Sequence, residues 1–184
     1  MSRSQRIAAL AAALMAASAL GLPGVTASTD APTPVRACDA KLNVIDQDPA
    51  GLNIRGAPAG AVIGALKGRD RWVQVHVTGQ AGTWARIDRA VWISEEDGAD
   101  HPLFSGVGYV AFSKIGMNEL RTQSEILAAP AEGAHVLLKI SEGDESKLPK
   151  ADVLGCSGEY VEVRVRGMIG WTRDYCSNEF TTCV

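Results

Sequence analysis

With 184 residues, 21 acidic side chains against 18 Lys and Arg, and a formal net charge of −3, the chain lacks the basic excess that nucleic acid or an anionic membrane surface requires. Four cysteines occur without a CxxC pair, and His76, His101 and His135 stand singly. That spacing gives no ligand set for a metal, and no cofactor is expected.

Residues 1–27 read as a secretory signal peptide. Arg3 and Arg6 precede an uncharged Ala/Leu-rich run, Ile7 to Leu22, which Pro23-Gly24 interrupts. Val25-Thr26-Ala27 supplies small residues for cleavage after Ala27. A spanning helix needs roughly 20 apolar residues, and this run is shorter, so no stable membrane insertion is expected after processing. Cys38, Cys156, Cys176 and Cys183 all lie in the exported part. An even number in an oxidising compartment reads as two disulfides, in a periplasmic or secreted protein.

Ser28 to Arg36 is a Pro/Thr-rich lead, and Ala40 to Ile45 a short first strand. Asp46 to Gly51 is turn chemistry. Leu52 and Ile54 lie on a strand that ends near Pro58, and Ala61 to Leu66 forms the next. From Trp72 to Val77 the pattern alternates, with Val73, Val75 and Val77 on one face and Trp72, Gln74 and His76 on the other. This is a half-buried antiparallel strand. Trp84 to Ile87 alternates again, and Val91 to Ile93 is a last short strand. Residues 28–94 thus read as a first small barrel, and the acidic, turn-rich 95–106 as a linker.

Residues 107–184 read as a second, divergent copy. Val107 to Phe112 is a strand, and Met117 to Leu127 has a helix-like composition. Ala129-Pro130 aligns with Ala57-Pro58, Ala134 to Ile140 with Ala61 to Leu66, and Tyr160 to Val163 with Trp84 to Ile87. Trp171 matches Trp92. A period of about 75 residues indicates a duplicated domain, since solenoid repeats run to roughly 20–50.

Three cysteine pairings are formally possible. In the second copy, Val161, Val163 and Val165 share a face with Ile169 and Trp171 only if cross-strand partners sum to an even number. A three-residue loop, Val165-Arg166-Gly167, satisfies this. It sets Arg164 opposite Met168 and Glu162 opposite Gly170. It also sets Cys156 opposite Cys176, provided that Ser157-Gly158 does not end the ladder first. The expected pairs are therefore Cys156–Cys176 and, by elimination, Cys38–Cys183.

Asp48-Pro49-Ala50-Gly51-Leu52-Asn53-Ile54-Arg55, followed by Ala57-Pro58, resembles the opening signature of the bacterial Src-homology-3-type (SH3-like) domain. Val62 to Leu66 and Gly82 to Ile87 are similar to that family's next strands, so the resemblance spans Val44 to Ile93. Val91-Trp92 replaces the usual closing Gly-Trp. The second copy has Ile126-Leu127 where the first has Ile54-Arg55, so the signature Arg is absent there. The resemblance implies an all-β fold of two tandem small SH3-like β-barrels. It also implies a non-catalytic binding role toward cell-wall peptide or another periplasmic protein.

The residues that suggest a binding surface are Asn53 and Arg55 on the polar face of their strand, Trp72, Trp84 and Arg86 on the polar faces of theirs, and Tyr160. Trp and Tyr are favoured at recognition surfaces. The alternatives are an Asn that caps its turn, a solvated Arg, and aromatics that cover a barrel edge or pack between domains. Trp92 and Trp171 read as core or closing residues. Catalysis finds little support. Disulfides remove the thiol a cysteine nucleophile needs, and Ser105 lacks the strand–turn–helix context of a nucleophile elbow. The expected function is a binding protein without enzymatic activity. An accessory subunit or inhibitor of a periplasmic enzyme is the alternative, and a cryptic cell-wall hydrolase a third.

Overall fold

Alternating burial is the rule that builds this molecule. In a computed structural model that describes residues 34–67, 72–94, 96, 98–140 and 151–177, every alternate residue from Val73 to Ala81 is buried while its neighbours stay half exposed. Such a pattern is stable only when one face of a sheet packs on a core. The described residues fall within one compact unit, Thr33–Val184, and none of them is α-helical.

The strands are β1 (Arg36–Val44), β2 (Leu52–Arg55), β3 (Val62–Leu66), β4 (Trp72–Ala81), β5 (Trp84–Ile93) and β6 (Asp100–Ala111). A single 3-10 turn, Phe112–Lys114, leads into β7 (Ile115–Gly116), β8 (Glu119–Leu120), β9 (Glu125–Leu127) and β10 (Val136–Lys139). The last four are β11 (Asp152–Ser157), β12 (Tyr160–Val165), β13 (Met168–Thr172) and β14 (Tyr175–Cys176). A seven-stranded sheet runs β3-β2-β6-β5-β4-β1-β7, and a five-stranded sheet runs β10-β9-β13-β12-β11. Register shifts along β4, β5 and β6 bend the larger sheet into a curled half-barrel.

The order β3-β2-β6-β5-β4 is the order β10-β9-β13-β12-β11 with each element replaced by its downstream counterpart. The match extends to packing. A methyl group on Gly108 of β6 would collide with the side chain of Ile54, and one on Gly170 of β13 would collide with that of Ile126. Ile54 and Ile126 are both buried, on β2 and β9. In each sheet a glycine lets a neighbouring strand approach the isoleucine beneath it.

β1 joins the two sheets. It pairs with β4 on one side and β7 on the other, and its start lies against the β11–β12 turn through Asp39 N–H donating to Gly158 O at 2.7 Å and Gly158 N–H donating to Ala37 O at 2.9 Å. One hydrophobic cluster therefore includes Leu42, Ile54, Ile87 and Val110 together with Ile126, Val161 and Val163. Full burial of each such side chain contributes roughly 1.5–3 kcal/mol.

Several sequence expectations are corrected. The linker placed at 95–106 is strand from Asp100 onward, because β6 pairs along the whole of β5 and carries the chain past residue 107 without a break. Met117–Leu127 holds β8 and β9 and no helix, since Glu119 and Leu120 pair with β14. The β12–β13 register has Val165 opposite Met168 and Glu162 opposite Trp171. Its turn is the two-residue Arg166-Gly167, both with positive φ, 50° and 82°, as a tight hairpin requires. The even-sum register would have turned Ile169 and Trp171 inward. Here Gly170 and Thr172 are buried, and Ile169 is exposed.

The pairing Cys156–Cys176 does not occur. Cys38 is bonded to Cys156, with Cα atoms 5.7 Å apart. β11 pairs Cys156 with Val161 of β12, while β14 belongs to a separate two-stranded ladder with β8. Cys176 is also disulfide-bonded. The expected pair Cys38–Cys183 is excluded by the Cys38–Cys156 bond, and Cys183 itself lies outside the described residues. So do the proposed signal peptide and Ala27.

Candidate functional site

Three strands of the curled sheet bring a row of large polar side chains to one face. Arg55 of β2 stands opposite Tyr109 of β6, and Tyr109 stands opposite Arg86 of β5. Directly paired residues share a face, so Arg55 and Arg86 leave the sheet on either side of Tyr109. Trp84, two residues before Arg86 on β5, lies on the same face. The Arg55 guanidinium carbon is 5.8 Å from the Trp84 ring centroid, within cation–π range. Arg55 Nη1 also donates to Gly60 O at 2.6 Å, which anchors it to the β2–β3 turn. All four side chains are half buried, and Asn53, on the outward face of β2, is exposed.

Of the six residues expected at a binding surface, Asn53, Arg55, Trp84 and Arg86 are thus brought together. Tyr109 was missed. The alternation through Val107 to Phe112 carries its signal, with Val110 buried and Tyr109 and Ala111 on the other face.

Trp72 and Tyr160 lie elsewhere. Trp72 opens β4, opposite Ile93, at the far end from Ala81, which pairs with Trp84. It lines a cavity of about 190 Å³ with Asn43, Gln47, Met117 and Asn118. Asn43 is 5% exposed, and neither its Oδ1 nor its Nδ2 has a hydrogen-bond partner among the described residues. An unsatisfied buried polar group costs about 1–3 kcal/mol. Tyr160 is buried, at 9% exposure, which corrects the expectation that it stands half in water. It begins β12 beneath Arg173, whose guanidinium carbon is 5.7 Å from its ring centroid. A more open depression of about 350 Å³ adjoins, lined by Asp39, Lys41, Glu159, Arg173, Tyr175 and Ser177. Burial pushes the Tyr175 phenol up to about 12, against a lowering hydrogen bond at Lys41, so it stays neutral.

His76, on the outer face of β4, lies between two carboxylates. Its Nδ1 is 2.8 Å from Asp88 Oδ1 and its Nε2 3.0 Å from Asp39 Oδ1. Burial lowers its pKa, but the hydrogen bonds to Asp39 and Asp88 outweigh that and leave it raised. Trp92 and Trp171 are half buried. Trp92 stacks on His101 with centroids 4.7 Å apart, and the Arg36 guanidinium carbon lies 5.1 Å from the Trp171 centroid.

Every described cysteine is in a disulfide. Ser105 sits mid-strand in β6 opposite Arg89. No group of three His, Cys, Asp or Glu among the described residues is placed to hold a metal. No helix among them is long and apolar enough to cross a membrane. Comparison with protein-family models, with curated proteins and with solved structures finds no match.

Proposed function

We propose that this is an exported, non-catalytic binding protein built from two SH3-like units, and that the face of Arg55, Tyr109, Arg86 and Trp84 receives an extended peptide with free carboxylates, as in cell-wall peptide. The duplicated strand order supports the two-unit reading. The disulfides are compatible with an oxidising compartment such as the periplasm.

The observation that carries the binding reading is the row Arg55–Tyr109–Arg86. β2 and β5 are separated by one intervening strand, so the two arginine backbones lie about 10 Å apart at ~4.8 Å per strand. Guanidinium groups at that spacing suit successive carboxylates along an extended chain, each taken in a bidentate contact. Trp84 and Tyr109 add flat apolar surface at low entropy cost. In a chain of net charge −3, two arginines on one face form a local positive site against a negative background.

The test is retention on purified peptidoglycan together with titration of a soluble stem peptide. Arg55→Ala and Arg86→Ala are each expected to weaken binding by about tenfold to a hundredfold, the effect of losing a hydrogen bond to a charged group of ~1.5–3 kcal/mol, and Trp84→Ala by about two- to tenfold, the loss of an aromatic contact. Added salt weakens it further. No retention, or retention indifferent to all three substitutions, refutes the proposal.

A further inference from the structure

The cavity beside Trp72 lies apart from the arginine face and shares no residue with it. Among the described residues, no charged side chain lines it. Three of its side chains, Asn43, Gln47 and Asn118, are carboxamides, and Trp72 and Met117 supply an aromatic face and a thioether. Met117 and Asn43 are buried, whereas Gln47, Asn118 and Ile45 are exposed at the mouth.

Such a lining discriminates against ions, because a charge brought here loses water without gaining a counter-charge. It favours a small neutral group with both a carbonyl and an N–H. An asparagine side chain offers one acceptor oxygen and two donor hydrogens, and those of Asn43 are unused within the protein. We propose that this cavity binds an uncharged acylamide, either an N-acetyl group or a peptide bond. Asn43 Oδ1 accepts from the ligand N–H, and Nδ2 donates to its carbonyl. Trp72 and Met117 pack on the amide plane and the adjoining methyl.

The Asn43 amide atoms lie beneath the accessible surface, so a side chain at the mouth must turn aside. Ile45 is that side chain. It lies over Gly116, the cross-strand partner of Asn43, and is 50% exposed. Acylamides are carried by N-acetylated sugars and by N-acylated peptides, and the two are separated by experiment.

The full chain is titrated with N-acetylglucosamine and with N-acetylalanine methylamide, and with glucose and acetate as controls. Trp fluorescence and the NMR resonances of the Asn43 side-chain amide are followed. One or both acylamides are expected to shift those resonances at millimolar concentration, while glucose and acetate do not. The stronger of the two identifies sugar or peptide as the source. Asn43→Ala should weaken binding at least about tenfold without lowering the melting temperature, since it removes an unsatisfied amide. Asn118→Ala, a substitution at the exposed mouth, should weaken it by a few-fold. Arg55→Ala and Arg86→Ala should leave it unchanged, which keeps this site testable apart from the arginine face. The proposal is overturned if neither acylamide moves the Asn43 resonances, if acetate or glucose moves them equally, or if both cavity variants bind as the native protein does.

Discussion

Cys38 and Cys156 are covalently joined across a sequence separation of 118 residues, and the bond fastens β1 to the first long strand of the second sheet. β1 otherwise belongs to the larger sheet, through its ladder with β4. The bond closes a long loop, and the chain-entropy model gives it up to about 5 kcal/mol. The double substitution Cys38→Ser/Cys156→Ser is therefore expected to cost about 2–5 kcal/mol in chemical denaturation. If that variant unfolds at the native midpoint, the crosslink contributes nothing to the union of the sheets.

His76 between Asp39 and Asp88 makes stability depend on pH. Folding raises its pKa, so the folded state holds the proton more tightly than the unfolded chain. The contribution is full below the unfolded value of about 6.5 and is lost as pH rises through the raised folded value. Lys41 and Arg89, its cross-strand neighbours on β1 and β5, are the cations nearest in the ladder. The melting temperature of the native protein should exceed that of His76→Gln most near pH ~6, with the gap closing toward pH ~8. His101 and His135 are common to both proteins and cancel in the difference. A gap that widens with pH contradicts the geometry.

The two glycine–isoleucine contacts predict matched costs. At Gly108 an added methyl meets Ile54 and Phe104, and at Gly170 it meets Ile126 and the carbonyl of Leu127. Each Gly→Ala change overpacks a buried strand crossing and should destabilise by about 1–3 kcal/mol. Gly64 is the control. Its methyl would meet only the tip of Ile54, at 3.8 Å, an ordinary contact. Gly64→Ala should be neutral or stabilising by up to about 1 kcal/mol, because alanine loses less backbone freedom on folding. Equal costs at all three positions would mean that the crossings are looser than the backbone indicates.

The alternation of Val73, Val75 and Val77 against Trp72, Gln74 and His76 was legible because strands of period two leave no other way to bury one side. The likeness of β12 to β5 was legible for the same reason, since Val161 and Val163 are buried as Ala85 and Ile87 are. What the sequence concealed was long-range. Val91 to Ile93 read as a strand of its own because Asp88 and Arg89 interrupt the apolar pattern, yet both sit within a continuous β5. The acidic run before Asp100 looked like a linker because local composition does not report that the next residues pair with β5. The cysteine pairing failed at Ser157-Gly158: the chain turns there, with Gly158 at φ 56°, so Cys156 lies on β11 opposite Val161 and does not extend β12 toward Cys176. At the candidate site, Arg55, Arg86 and Trp84 could each be placed on an outer face. Their adjacency could not, because it depends on β6 lying between β2 and β5.

Gln80 supplies a polar tie beside the disulfide. Its Oε1 accepts from the Cys156 backbone N–H at 2.9 Å and from Arg36 Nη2 at 2.5 Å, and its Nε2 donates to Gly82 O at 2.8 Å. Cys156 is fully buried, so no water can replace that acceptor. Gln80→Leu leaves the N–H unsatisfied and should cost about 1–3 kcal/mol. Gln80→Glu keeps the acceptor for Cys156 and Arg36 and loses only the donor to Gly82, whose carbonyl lies in an exposed turn. It should cost less, and amide hydrogen exchange at Cys156 should stay slow in Gln80→Glu and accelerate in Gln80→Leu. The close approach of Gly155 to the Gln80 carboxamide requires the glycine. Gly155→Ala should therefore reproduce the accelerated exchange at Cys156 without altering Gln80 itself. Protection at Cys156 that survives both Gln80→Leu and Gly155→Ala would show that the Gln80 carboxamide does not hold that amide.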